Sequence, residues 1–243
     1  MNVIIMSLLA GVAGMGIGGL LTAFIGSRTD KMISVFLAFG GGVMTSIVLL
    51  ELIPESIAHS NIAVTIAGLG AGAAMVWAFN YVIEKMPEPN ADKSKNSMLR
   101  SGILMLFAIG MHNIPEGMAL GAVGYHEASF GVALAFIIGL HNIPEGMAVA
   151  APLIAGGLSK TKSIALTLLV GATTVAGAAI GVAVGAISYI AVAVFFSVAG
   201  GTMLYVVFGE MLPQSIVSNN NRIPMAAALA GIIAGLLFTE III

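Results

Sequence analysis

Long apolar stretches separated by short polar clusters dominate the chain. Cutting the sequence at clusters of charged and turn-forming residues leaves apolar segments at 1–26, 32–58, 61–84, 100–123, 128–153, 162–188, 191–216 and 223–243. Each segment is about as long as the ~20 residues that an α-helix needs to cross a hydrocarbon core, and none alternates as a barrel strand does. The pattern predicts an all-α polytopic membrane protein with eight transmembrane helices.

The composition supports a single transmembrane domain over residues 1–243. Of the residues, 59% are hydrophobic and only 8% are charged, too few charges for the surface of a soluble domain. The longest connector, EKMPEPNADKSKNSML between Glu84 and Leu99, is expected to be a flexible polar loop. Residues 1–26 have no basic leader or cleavage pattern, so we expect a retained helix. The net charge of −2 gives no indication of nucleic-acid binding, and the lack of cysteine excludes thiolate ligands.

The basic residues indicate the direction of each helix. All nine Lys and Arg residues fall in alternate connectors, and the remaining connectors have none. By the positive-inside tendency, the four basic connectors are cytoplasmic and both termini lie outside, as in a multi-pass protein of the plasma membrane. The basic residues are Arg28, Lys31, Lys85, Lys93, Lys95, Arg100, Lys160, Lys162 and Arg222.

Two internal repeats relate the predicted spans. GGVMTSIVLLELIPES from Gly41 and GGTMLYVVFGEMLPQS from Gly200 lie in spans two and seven. IGMHNIPEGMA from Ile109 and IGLHNIPEGMA from Ile138 lie in spans four and five. Both pairs join spans that cross in opposite directions, which predicts an inverted repeat. Secondary transporters commonly have this plan, with the substrate near the midplane between repeats.

Each HNIPEG segment places a histidine and a glutamate near the middle of a span. His112 and Glu116 are four residues apart, as are His141 and Glu145, so each pair shares one helix face. A charged side chain at the bilayer centre costs roughly 2.5–3.5 kcal/mol, so these residues need a compensating partner. Because the two spans are antiparallel, we expect His112 level with Glu145 and His141 level with Glu116. The four side chains would then converge on one point.

Imidazole and carboxylate ligands without sulfur suit Zn²⁺ and other divalent ions such as Fe²⁺, Mn²⁺ or Co²⁺. Pro115 and Pro144 lack an N–H and free the carbonyl one turn earlier, while Asn113 and Asn142 add amide oxygens. The alternative is that His and Glu only hydrogen-bond between helices and bind nothing.

Other polar residues extend this line of ligands toward both membrane faces. Glu51, Glu55 and His59 come late in span two, toward the outside, and Glu210 and Gln214 come late in span seven, toward the cytoplasm. A cation pathway needs such a line of ligands, although hydrated residues at the membrane interface would look the same.

With these motifs the chain resembles the ZIP (Zrt/Irt-like) family of divalent metal transporters, in its bacterial ZupT/GufA-like branch, over its whole length. The resemblance implies uptake of zinc, and often of iron, manganese or cobalt, into the cytoplasm. It also implies a 3+2+3 inverted-repeat bundle, an elevator-like movement of spans one, four, five and six against the others, and a homodimer. The metal, with Cd²⁺ as a further candidate, is the substrate, and no organic cofactor is expected.

The resemblance also assigns metal ligands. It implies that Asn113 and Asn142 complete a neighbouring second site, for which some relatives supply a glutamate in span six. This chain has Thr174 there, within GATTVAGA, so we predict one strong site and at most a weak second one. The main site is implied at His112, Glu116, His141 and Glu145, with Met44 near it.

A transporter that works by alternating access is the leading hypothesis, and a passive metal-selective channel with the same ligands is the alternative. The glycine-rich segments GVAGMGIGGL and GAAIGVAVGA would allow helices to slide, but would equally suit static packing. A membrane metalloenzyme is disfavoured because no general base is separate from the ligands.

Overall fold

The computed structural model describes residues 2–25, 30–85, 92–126, 128–184 and 189–240, and the regular structure of that part is helical. Three of its eight long helices contain an internal π-helical turn. The helices are α1 (Val3–Ser7, π turn Leu8–Ala13, Gly14–Ile25), α2 (Asp30–Ile47, π turn Val48–Leu52, Ile53–His59), α3 (Ile62–Glu84), α4 (Lys93–His126), α5 (Ala128–Ala155), α6 (Lys160–Val184), α7 (Tyr189–Val206, π turn Val207–Met211, Leu212–Ser218) and α8 (Ile223–Glu240).

The helices have the length and outer surface of membrane-spanning helices. Seven are long and apolar enough to cross a membrane, and α8 contributes a shorter described apolar run, Ile223–Leu237. Large apolar side chains face outward: Trp77 on α3 and Leu229 on α8 are each 61% exposed. Such faces are stable in contact with lipid chains rather than with water. The predicted all-α polytopic membrane fold is confirmed.

Asparagine and aspartate side chains define several helix starts. The Asp92 side chain accepts hydrogen bonds from the backbone N–H groups of Ser94 and Lys95 at 2.9 and 3.3 Å, which satisfies donors left free at a helix start. Helix α4 therefore begins at Lys93 rather than near residue 100. The polar connector expected up to Leu99 is shorter than predicted because its last residues belong to this capped turn.

The repeat between α2 and α7 extends to their irregular turns. Val48–Leu52 and Val207–Met211 occupy the same place in the two repeated sequences. A proline follows each turn, Pro54 or Pro213, and its missing N–H removes one backbone hydrogen bond from the helix at that point. Each π turn carries the glutamate of its repeat, Glu51 or Glu210.

Contacts between helices follow the same two-fold relation. Helix α4 packs on α6 as α5 packs on α1, and α2 packs on α8 as α7 packs on α3. This set of neighbours stays the same when α1 is exchanged with α6, α2 with α7, α3 with α8 and α4 with α5. That symmetry is the one expected of a 3+2+3 inverted repeat. The helices form one group of α1, α4, α5 and α6 and another of α2, α3, α7 and α8. The groups meet where α4 packs on α7 and α2 packs on α5.

Within the first group, glycines bring helix backbones together at equivalent places. A Cβ atom added to Gly18 of α1 would lie 2.1 Å from the carbonyl oxygen of Ile143 on α5. A Cβ added to Gly177 of α6 would lie 2.1 Å from the carbonyl oxygen of Ile114 on α4. Both neighbours belong to HNIPEG segments, so these contacts hold α1 and α6 tightly against the two helices that carry this repeated motif.

Gly177→Ala should therefore destabilise the fold by about 1–3 kcal/mol, because the backbone oxygen next to the added methyl group cannot move without shifting a helix. Unfolding in mixed detergent micelles measures this effect. Gly70→Ala is the matched control, since Gly70 on α3 has no atom near its added Cβ. An equal loss of stability in both variants would contradict the assigned close packing.

Candidate metal centre

Two histidine–glutamate pairs cross between α4 and α5. His112 Nε2 lies 3.3 Å from Glu145 Oε2, and His141 Nε2 lies 3.4 Å from Glu116 Oε2. The structure confirms the crossed pairing that antiparallel spans predicted. All four residues are at most 3% exposed. The pairs thus place two imidazoles and two carboxylates inside the helix bundle, out of contact with lipid.

The four side chains form two pairs rather than one closed cluster. Among the described residues, no group of three His, Asp or Glu side chains is close enough together to hold a metal ion. Convergence on a single point, predicted from the sequence, is therefore not reached in this arrangement. Each candidate ligand is held by a partner on the neighbouring helix, and a metal would have to draw the pairs together.

The distances within the pairs fit long hydrogen bonds and also the spacing of two ligands on one metal ion. A hydrogen bond between a charged nitrogen donor and a carboxylate is about 2.7–2.9 Å long, shorter than the observed 3.3 and 3.4 Å. Zinc bonds to nitrogen and oxygen are about 2.0–2.2 Å long, so two ligand atoms at a tetrahedral angle lie roughly 3.3–3.5 Å apart. Each pair therefore already has the spacing of two ligands on one tetrahedral ion.

Several other polar atoms around the pairs have no hydrogen-bond partner among the described residues. Buried polar groups are normally paired, so such a group needs an explanation. Four of these six atoms are carboxylate or amide oxygens, which only accept, and a cation would satisfy them. The atoms are His112 Nδ1, His141 Nδ1, Glu116 Oε1, Glu145 Oε1, Asn113 Oδ1 and Asn142 Oδ1.

The asparagines are oriented by the flanking helices. Asn142 Nδ2 donates to the Ala10 carbonyl of α1 at 3.0 Å. The N–H of Gly14, which would donate to Ala10 in a regular α-helix, donates to the carbonyls of Gly11 and Leu9 instead, so the π turn of α1 frees the Ala10 carbonyl. Asn113 Nδ2 makes a longer contact of 3.4 Å with the Val170 carbonyl of α6. In both residues the amide nitrogen is occupied and the amide oxygen is left to accept.

These anchoring carbonyls are the part of the site that the sequence did not reveal. Backbone carbonyls have no sequence pattern of their own, and the glycines around Ala10 indicate close packing without indicating a π turn.

The remaining predicted metal residues lie in the core. Met44 of α2 is fully buried in the main hydrophobic cluster. Thr174 of α6 is buried with its Oγ1 unpartnered, and a Cβ added to Gly117 would lie 2.1 Å from its carbonyl oxygen. The Thr174 carbonyl thus packs against the residue after Glu116, while its hydroxyl oxygen lies beside Gly11 of α1.

The predicted pathway residues have different surroundings. Glu51 lines a small cavity with Glu116 and His141. Near the end of α2, Glu55 Oε2 lies 3.3 Å from His59 Nε2, and both side chains are partly exposed.

The equivalent residues of α7 contact the start of α4. Ser101 Oγ donates to Glu210 Oε2 at 3.4 Å, and Gln214 Nε2 lies 3.5 Å from the sulfur of Met98. The two halves of the repeat are therefore not in the same arrangement.

An inverted repeat of membrane-spanning helices around buried histidine and carboxylate pairs defines a polytopic membrane protein of the transporter class. A family model described as ZIP Zinc transporter matches residues 82–242. The chain is 35% identical to the zinc transporter ZupT of Akkermansia muciniphila, over 100% of this chain and 97% of that protein. It is 30% identical to zinc transporter ZupT of Streptococcus mutans, over 96% and 94%, and of Corynebacterium glutamicum, over 95% and 94%. The chain belongs to the ZIP zinc transporter family.

Proposed function

We propose that the protein imports Zn²⁺ through a site formed by His112, Glu116, His141 and Glu145. The observation that carries this proposal is the pair of buried His–Glu contacts at 3.3 and 3.4 Å, with their other polar atoms unpartnered. Two imidazoles and two carboxylates provide four ligands and two negative charges for one divalent cation. The names of its ZupT relatives support zinc as the substrate.

The ligand types also admit Fe²⁺, Mn²⁺, Co²⁺ and Cd²⁺. Imidazole suits zinc, copper, iron and nickel, and carboxylate oxygens suit manganese, so geometry and availability decide which metal is carried. Asn113 and Asn142 add neutral oxygens, and Met44 adds a thioether from α2. The metal is cargo, and the proposal includes no catalytic residue and no organic cofactor.

The family resemblance implies import, and the predicted topology orders the pathway residues from outside to inside. With the basic connectors in the cytoplasm and both termini outside, Glu55 and His59 lie toward the outer face of the plasma membrane. Glu210 and Gln214 lie toward the cytoplasm. Metal would enter along α2 and leave along α7, passing carboxylate or amide oxygens in both halves.

A carrier explains the burial of the site better than a channel. The four ligands are at most 3% exposed, so a conducting pore does not reach them in this conformation. Two packed helix groups that meet at few surfaces provide parts that could move, as the family resemblance implies. We propose the homodimer from that resemblance alone.

Uptake of radioactive zinc into proteoliposomes tests the proposal. We expect saturable flux with strong temperature dependence and with competition by Fe²⁺, Mn²⁺ and Cd²⁺. Impermeant chelator outside the vesicles separates the two protein orientations. Flux that stays linear with concentration would favour the channel, and no flux from correctly inserted protein would refute zinc transport.

Titration of the purified protein should find one tight zinc site per chain. Thr174 offers a hydroxyl, a weaker ligand for zinc than the carboxylate of relatives, so we expect any second site to bind at least about tenfold more weakly. Calorimetry in detergent measures both affinities. Two sites of similar affinity would contradict this prediction.

A further inference from the structure

Helices α1 and α6 cross at a pair of glycines beside the candidate metal centre. A Cβ atom added to Gly11 of α1 would clash with the carbonyl oxygen of Gly171 on α6. In the same way, a Cβ added to Gly171 would lie 2.5 Å from the carbonyl oxygen of Gly11. The two backbones therefore touch at this point, and any side chain larger than that of glycine would push them apart.

The residues directly before the two glycines, Ala10 and Val170, anchor the asparagines of the HNIPEG segments. The Ala10 carbonyl accepts from Asn142 Nδ2 at 3.0 Å, and the Val170 carbonyl accepts from Asn113 Nδ2 at 3.4 Å. All four residues are at most 3% exposed. A single helix crossing thus determines where both asparagine side chains are held.

The two anchors differ in how many donors share the carbonyl. Ala10 lies in the π turn of α1, which frees its carbonyl from the helix and leaves it available to Asn142. Val170 lies in the regular helix α6, where a carbonyl accepts from the N–H four residues later. It also accepts from Thr173 Oγ1 at 2.6 Å. The longer contact with Asn113 follows from this sharing, so Asn142 is the more firmly held asparagine.

The anchors leave the amide oxygens for another partner. Asn113 Oδ1 and Asn142 Oδ1 are buried and have no hydrogen-bond partner among the residues that the structure describes. A buried oxygen in this state is unfavourable unless a cation or a donor compensates it. Only the amide nitrogen can donate to a carbonyl, so neither amide can exchange its nitrogen and oxygen without losing its anchor.

We propose that the crossing at Gly11 and Gly171 positions the metal centre: it fixes the two carbonyls that anchor the asparagines and so keeps both amide oxygens available to the ion. The two glycines are positioning residues, since they act through the asparagines. Separating the helices would move both anchors at once, so one added methyl group should disturb both halves of the inverted repeat. This inference rests on the proposed zinc transport.

Gly171→Ala tests this role, with Gly72→Ala as the matched control. A Cβ added to Gly72 of α3 would also clash with a backbone oxygen, that of Val198 on α7, but in the other helix group. Both variants should melt at a lower temperature than the wild type. Only Gly171→Ala should lose zinc affinity, by about tenfold or more, because the support of a metal ligand is disturbed. Gly72→Ala should stay within about threefold of the wild type, since distant sites act independently.

Bound Co²⁺ gives a readout that a loss of stability alone would not change, because its visible absorption depends on the number and geometry of its ligands. The cobalt spectrum of Gly171→Ala should differ from that of the wild type, whereas the spectrum of Gly72→Ala should match it. A wild-type zinc affinity and cobalt spectrum in Gly171→Ala would overturn the positioning role. An equal fall in zinc affinity in both variants would also overturn it.

Solid-state NMR of the wild type in lipid keeps the inference testable if Gly171→Ala does not fold. With ¹⁵N in asparagine side chains and ¹³C in alanine carbonyls, it detects the contact between Asn142 and Ala10. Zinc at the amide oxygen polarises the amide and strengthens its hydrogen bond, so this signal should shift when Zn²⁺ is added. A signal that saturating zinc leaves unmoved, in protein that binds zinc, would overturn the inference and leave zinc transport intact. No zinc binding by the wild type would instead refute the proposed function.

Discussion

Glu145→Ala is expected to reduce zinc flux by more than about 100-fold at zinc concentrations near the wild-type KM. The substitution removes a carboxylate ligand and leaves His112 without its partner at 3.3 Å. Loss of a group that only orients a metal ligand typically costs 10–100-fold in affinity or activity, so losing the ligand itself should cost about that much or more. Uptake into proteoliposomes, normalised to inserted protein, measures the effect.

Glu240→Ala is the control for this prediction. It makes the same substitution at an exposed glutamate at the end of α8, far along the chain from the two HNIPEG segments. Its flux should match the wild type. If both variants kept normal flux, Glu145 would not be a transport ligand, and the crossed pairs would only stabilise the contact between α4 and α5.

The second large effect is on stability without metal. His141→Ala leaves the Glu116 carboxylate buried without its partner at 3.4 Å, and an unpaired buried charge typically costs about 3–5 kcal/mol. The double variant with Glu116→Ala as well should recover part of this loss, because the isolated charge is then also removed. Unfolding in mixed micelles with a chelator present measures all three proteins.

His59→Ala provides the comparison for the buried pair. His59 and Glu55 form a similar contact at 3.3 Å, with side chains that are 32% and 48% exposed. Solvent screens such a pair, so its removal should cost less than about 1 kcal/mol. Equal losses in His141→Ala and His59→Ala would show that the buried pair carries no unscreened charge.

The sequence predicted the helices and the crossed pairs because both depend on periodic patterns. Apolar length determines a membrane span, and alternating basic connectors indicate its direction. Once α4 and α5 are antiparallel, the identical HNIPEG order requires His112 to meet Glu145 and His141 to meet Glu116. The start of α4 at Lys93 was missed because its first turn is polar and depends on the cap from Asp92.

Other features of the site depend on tertiary contacts that no local pattern encodes. The π turn of α1 frees a backbone carbonyl for Asn142, and only the packing of α1 on α5 shows which asparagine uses it. Glu51 and Glu210 are equivalent in the repeated sequences, yet one faces His141 and the other contacts Ser101. The same role was predicted for both, because the repeated sequences do not specify which residues of the neighbouring helices each glutamate contacts.

X-ray absorption spectroscopy of the protein loaded with one Zn²⁺ per chain would show directly which side chains bind the ion. We expect a first shell of nitrogen and oxygen ligands with outer-shell scattering from two imidazole rings, reduced to one ring in His112→Ala and in His141→Ala. A zinc spectrum without imidazole scattering, or one unchanged by both substitutions, would contradict a metal site built from the two HNIPEG segments.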